Sequence, residues 1–515
     1  MTSYRRPSYA ASIHTTTGSI ATYAKRLTQQ GRPDMEIILD DYIEGKIYTT
    51  FDALSGKVEI TAPHNARFDE IHITLEGTVK TFVDNLSSAS TKSKTTALHK
   101  FLKLVMPIAE TDYPQPRVAE AGRTYTFPFN FVIPDQLLPR SCSHVCISEH
   151  VHDAHLQLPP SMGDREVSVQ DDLAPEMSKV QYAIKVRVVR NREADNREVV
   201  LVEGLRKIHI VPAVTEAPPM SIGPTDSEFT LSKTKSLKKG MFSGKLGRIT
   251  VSAAQTSALI LPAPSSASCT PPTTMATMNL RFDPHESSSQ PPRLGGLTTK
   301  IKVSTHFAAR PAAAFPSHLR SSVPYENYRG IYDISIPLSS RCVESVAWTK
   351  HTPAPEYTRR DSASSTESSD YSDNVYAPAA KENVAYYSAT ILVPITLPSS
   401  KTWVPTFHNC ITSRAYTIDL NLTIHTPGAG VPPYSVALRL PIQIAAAGNH
   451  SRRATLTAEE AAAELAGANE YLTRRLIAMP HEDLIGNSVL AQADSSELPP
   501  SYEAFPPPQQ IVGRC

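Results

Sequence analysis

Ile71-His72-Ile73-Thr74-Leu75-Glu76-Gly77-Thr78-Val79 is the stretch that decides the fold class. Apolar side chains recur at alternate positions, and a period of two puts them on one face of a half-buried extended strand. Val180, Tyr182, Ile184, Val186 and Val188 repeat the period, with Gln181, Lys185 and Arg187 between them. Residues 198–211 give another such run, and no long helical pattern interrupts residues 34–213. Further along, 249–261, 278–282, 297–307 and 385–397 read as strands, and Tyr416-Thr417-Ile418-Asp419-Leu420-Asn421-Leu422-Thr423-Ile424 alternates cleanly. The last strand, 434–444, contains Pro441, which argues for an edge position or a bulge. Two sets of short strands with turn signals between them predict an all-β chain of two tandem immunoglobulin-like β-sandwiches. Their expected bounds are 34–213 and 225–446, with a proline-rich hinge at 218–224.

Composition agrees with this reading. The 515 residues include 43 prolines, which turn-rich sandwiches and loops absorb more readily than helical bundles do. A net charge of +1 with 20% charged residues gives no global field that would draw nucleic acid. No stretch approaches the roughly 20 apolar residues of a bilayer span. Met1-Thr2-Ser3-Tyr4-Arg5-Arg6 lacks the apolar core of a signal peptide. The cysteines, at 142, 146, 269, 342, 410 and 515, are too scattered for a dense disulfide framework. The expectation is a cytoplasmic protein with reduced thiols. Residues 1–33 read as a disordered lead, and about 353–378 as a disordered Ser-rich loop within the second sandwich. A helix is expected over 457–480, opened by a capping box of Thr457 and Glu460, followed by a disordered tail over 481–515.

That tail carries Pro499-Pro500-Ser501-Tyr502, a P-P-x-Y sequence. Paired prolines hold the backbone near polyproline II and display the tyrosine at little entropic cost, the shape that aromatic-lined WW-domain grooves accept. Val431-Pro432-Pro433-Tyr434 lacks the spacer and reads as a turn into a strand, while Ala354-Pro355-Glu356-Tyr357 is a weaker variant.

Several segments resemble the fungal α-arrestins. Arg123-Thr124-Tyr125-Thr126-Phe127-Pro128-Phe129-Asn130-Phe131-Val132-Ile133-Pro134 is similar to the family's F-P-F-x-F-x-[IV]-P strand in the N-terminal arrestin domain. Leu137-Leu138-Pro139 and His155-Leu156-Gln157-Leu158-Pro159-Pro160-Ser161 look like its L-L-P and L-P-P-S elements. Trp403-Val404-Pro405-Thr406-Phe407-His408-Asn409-Cys410-Ile411 resembles its P-[ST]-F-x-[ST]-C-[IL] segment, which enters a strand of the C-terminal domain. The resemblance implies the arrestin fold and a non-enzymatic adaptor. Such adaptors bind plasma-membrane transporters or receptors and recruit a HECT-type ubiquitin ligase whose WW domains grip P-P-x-Y. Ubiquitin is then transferred to the cargo, which is internalised from the plasma membrane to endosomes. Pro499, Pro500 and Tyr502 are the expected docking residues. A trafficking or signalling scaffold of the same fold, acting without a ligase, is the alternative.

Other clusters have a simpler reading beside a functional one. Lys233, Lys235, Lys238 and Lys239, with Lys245 and Arg248, form the densest basic run: by default a solvated strand and hairpin, functionally a contact for an anionic membrane surface or acidic cargo tails. Arg359-Arg360-Asp361-Ser362 places two arginines ahead of a serine, as basophilic kinases prefer. Phosphates on Ser362, Ser364 or Ser365 would each add about −1.5 to −2 charges and would suit phosphoserine-binding regulators. Cys142, His144, Cys146, His150, His152 and His155 have ligand chemistry suited to zinc, yet no second C-x-x-C or H-x3-H element completes the pattern. They read as polar loop packing, with no metal and no cofactor. No G-x-S-x-G, P-loop, H-E-x-x-H or strand-linked G-x-G-x-x-G is present, so the sequence offers no enzymatic site.

Overall fold

A computed structural model of the protein describes residues 34–84, 94–168, 170–192, 197–240, 244–266, 270–317, 328–352, 385–426 and 432–449. These residues all fall within one compact unit, Met1–Arg452. The expected lead at 1–33, the Ser-rich loop at 353–378, the helix at 457–480 and the tail at 481–515 lie outside the described residues.

The first block carries β1 (Asp34–Leu39), β2 (Ile47–Tyr48), β3 (Ala53–Thr61), β4 (Ala66–Arg67) and β5 (Glu70–Asp84). It continues through β6 (Lys94–Met106), β7 (Val118–Ala119), β8 (Thr124–Val132), α1 (Glu149–Leu156), β9 (Ser178–Asn191) and β10 (Glu198–Ile210). A sheet ordered β2-β10-β9-β5-β6 and a sheet ordered β1-β3-β8 share one core, in which Leu54, Val58, Ile73, Leu75 and Phe127 are almost fully buried. Burial of each such side chain contributes about 1.5–3 kcal/mol. In β8 the alternation turns Phe127, Phe129 and Phe131 inward, while Pro128 lies outside on an edge strand, where a missing N–H costs no ladder bond.

β5 departs from the half-buried reading. Thr74 and Glu76 are buried along with the apolar positions, because β5 lies between β9 and β6, and Lys100 of β6 reaches across to Glu76 at 2.8 Å.

The second block carries β11 (Ser232–Lys238), β12 (Lys245–Ala253), β13 (Leu259–Leu261), β14 (Thr273–Pro284), β15 (Arg293–Ala308) and β16 (Arg329–Cys342). It ends with β17 (Thr349–His351), β18 (Tyr386–Thr396), β19 (Phe407–His408), β20 (Thr412–His425), β21 (Tyr434–Ile442) and β22 (Ile444–Ala446). One sheet is ordered β11-β12-β14-β18-β17; in the other, β15 and β20 form the centre, flanked by β16 and by β19 and β21. Their shared core includes Ile249, Phe282, Ile301, Ile418, Leu420 and Val436.

The single strand expected over 249–261 is two. β12 stays in the first of these sheets, whereas β13 pairs in parallel with β22, so the chain leaves one sheet for another between them. Pro441 sits opposite Thr417 in β21, which pairs with β20 at the side of its sheet. The segment read as a hinge is fastened to the second block: Gln255 exchanges hydrogen bonds with the backbone of Met220, and Ile222 is buried.

Candidate functional site

Residues 142–155 were expected to be a loop; they follow a 3-10 turn and run through a short connection into a helix. Pro139–Ser141 forms the turn, and Cys142 closes it with its N–H on Pro139 O. The turn is anchored to β6, because Ser141 Oγ donates to Phe101 O at 2.8 Å and His99 Nε2 lies 2.9 Å from Ser141 O. Ser148 caps α1, accepting from the N–H of Val151. One turn separates Val151 from His155, so both fall on the buried face of the helix.

The structure brings Cys142, His144 and His155 together with a residue from the second block, Cys410. One ligand atom from each lies within 4.8 Å of all the others. Cys142 Sγ is 3.5 Å from His144 Nδ1 and 3.6 Å from His155 Nδ1. Cys146 stands beside them, its Sγ 3.9 Å from Cys142 Sγ and 3.7 Å from His155 Nδ1. His150 is exposed and His152 faces Asp153, so neither joins the cluster. The four cysteines among the described residues are free thiols.

Cys410 arrives by way of a tight hairpin. β19 and β20 pair through His408 and Ser413, the N–H of Asn409 bonds Thr412 O at 2.8 Å, and Cys410 and Ile411 form the turn. That turn is counted in the first block's core, together with Val404 and Phe407. Nothing near residues 142–155 in the sequence signals this partner; its only sequence trace is the P-T-F-x-N-C-I segment.

Burial shifts the titration of His155, Cys146 and Cys410, and of the neighbouring His408. It lowers the His155 pKa to about 4, helped by the neighbouring His144, His408, His152 and His99. Burial alone brings His408 to about 4. Burial, with the adjacent Cys142, raises the Cys146 thiol to about 11 and pushes the Cys410 thiol up as well. Burial thus favours the neutral imidazole of His155 and the neutral thiol of Cys410.

The basic run lies on β11 and just after it, at the edge of its sheet. Lys233 and Lys238 are exposed. Lys235 is half-buried over the Tyr434 ring and donates to Ser435 O, and Lys239 pairs with Glu286 at 2.9 Å. Two of the four charges are therefore partly engaged within the protein. Pro499, Pro500 and Tyr502, and Ser362, Ser364 and Ser365, lie outside the described residues.

The all-β architecture is that of the arrestin fold, and residues 35–208 match the family model described as Arrestin (or S-antigen), N-terminal domain. The match supports kinship with the arrestin family, whose members are non-enzymatic adaptors in trafficking and signalling. No curated protein matches the chain. Among the described residues, no helix is long and apolar enough to cross a membrane.

Proposed function

We propose that this protein is an α-arrestin of the fungal type that recruits a WW-domain HECT-type ubiquitin ligase to plasma-membrane transporters or receptors, promoting their ubiquitination and endocytosis. The observation that carries this reading is the arrestin N-terminal domain match at 35–208 in a chain that also contains Pro499-Pro500-Ser501-Tyr502. An arrestin body supplies a surface for cargo, and P-P-x-Y supplies a peptide for a WW groove. Joining the two in one chain raises the effective concentration of ligase beside cargo lysines, so the adaptor needs no chemistry of its own.

Within this proposal the body comprises two sandwiches, at 34–213 and 225–446, and works in the cytoplasm with peripheral recruitment to plasma membrane and endosomes. Lys233 and Lys238, exposed on the β11 edge, are the strongest basic contacts for an anionic membrane or an acidic cargo tail, each worth about 1 kcal/mol near such a surface. Phosphorylation at Ser362, Ser364 or Ser365 would oppose that contact or dock a phosphoserine-binding regulator.

The direct test titrates purified WW domains of a HECT ligase against the full chain. Tyr502→Ala is expected to weaken binding by at least about tenfold, the loss of an aromatic anchor. Equal affinity of the two chains would remove the ligase from the account and leave the scaffold reading.

A further inference from the structure

We propose that Cys142, His144, His155 and Cys410 hold one zinc ion, and that this ion fastens the hairpin between β19 and β20 to the first block. The donor set comes first. Two thiolates and two imidazoles are the ligands of closed, tetrahedral structural zinc sites, and soft sulfur with imidazole selects zinc over magnesium or calcium.

The distances follow. Zinc bonds of about 2.3 Å to sulfur and about 2.0–2.1 Å to nitrogen place neighbouring S and N ligands about 3.5 Å apart in a tetrahedron. Cys142 Sγ stands 3.5 Å and 3.6 Å from the two histidine Nδ1 atoms. All four donor atoms fall within 4.8 Å of one another. Thiols are weak hydrogen-bond donors, so contacts among these side chains alone give little reason to gather them here.

The surroundings orient the ligands. His144 Nε2 lies 3.0 Å from Ala312 O, so this nitrogen donates its proton to the carbonyl and leaves the Nδ1 lone pair for a metal. The N–H of Ala312 in turn bonds Cys410 O at 2.7 Å, so one residue braces a ligand from each block. His155 is held on the capped helix and Cys142 on the turn anchored to β6. Cys142, His155 and Cys410 are buried, a closed arrangement that suits a structural rather than a catalytic ion. Cys146 neighbours Cys142 and His155 but stands outside the mutually close set, and is assigned as an outer thiol.

The test uses the full chain, purified without chelators, with metal measured by mass spectrometry. About one zinc per chain is expected, and the metal-stripped chain should bind Co2+ with the visible bands of tetrahedral cobalt and thiolate charge transfer. Cys410→Ser and Cys142→Ser should each weaken Co2+ binding by about a hundredfold, roughly a quarter of what four ligands supply, whereas Cys146→Ser should leave stoichiometry at one. Wild-type chain with less than about a tenth of an equivalent of zinc and no cobalt bands would overturn the site, and needs no variant to fold. Metal lost in Cys146→Ser but kept in Cys410→Ser would overturn the bridge between the blocks.

Discussion

At position 56 the backbone of β3 runs so close to β1 that a Cβ would collide with the carbonyl oxygen of Ile38 and the ring of Phe129. Gly77 of β5 is crowded differently: there a Cβ would meet the ring of Phe101, a side chain rather than backbone. Gly56→Ala should therefore destabilise by about 2–3 kcal/mol and Gly77→Ala by about 1–2 kcal/mol, compared by denaturant unfolding. His209 is a third residue with a measurable consequence. Burial holds its pKa below the ordinary 6.5, although Val167, Asp172 and Asp164 partly offset the shift. The unfolded chain takes up a proton in a range where the folded one does not, so stability is full above 6.5 and falls as pH drops toward the folded value. Thermal melts at pH 7 and pH 5 should show lower stability at pH 5, and His209→Gln should reduce the difference. Neither the glycine contacts nor the histidine burial is written in sequence, because both depend on neighbours from other strands.

At the scale of elements, legibility followed the contrast between faces. β9 and residues 416–424 of β20 were readable because apolar and polar residues alternate along them. β6 and β16 were not singled out, since long stretches of each are exposed or half-exposed and the apolar face is weakly marked. α1 escaped because eight residues with three histidines give no clear helical stripe. The β19–β20 hairpin was placed correctly as the entry to a strand, yet its seat in the first block depends on packing between distant segments. That seat has a polar lock: Thr412 and Ser178 hydroxyls meet at 2.6 Å, both buried, and Thr412 also donates toward His306 O. Thr412→Val keeps the shape but strips Ser178 of this partner, so a loss of about 1–3 kcal/mol is expected in equilibrium unfolding.

For the whole molecule, the two blocks are coupled through more than the connecting segment. Thr81 donates to Ala308 O at 2.6 Å, and Arg414 of β20, fully buried, bonds the carbonyl of Asp172 and the sulfur of Met162. The proposed zinc would add to these ties, beside the Thr412–Ser178 contact and the His144–Ala312 bond. Under the proposed function, a body held this way would hold cargo while the P-P-x-Y sequence addresses the ligase, so the two tasks would be separable by mutation. The most direct measurement is quantitative surface proteomics, with ubiquitin-remnant profiling, on cells carrying the wild-type chain, the Tyr502→Ala chain or neither. The account predicts a transporter or receptor that is ubiquitinated and cleared with wild type but persists unmodified with Tyr502→Ala and with no chain. Clearance and ubiquitination equal for wild type and Tyr502→Ala would contradict it.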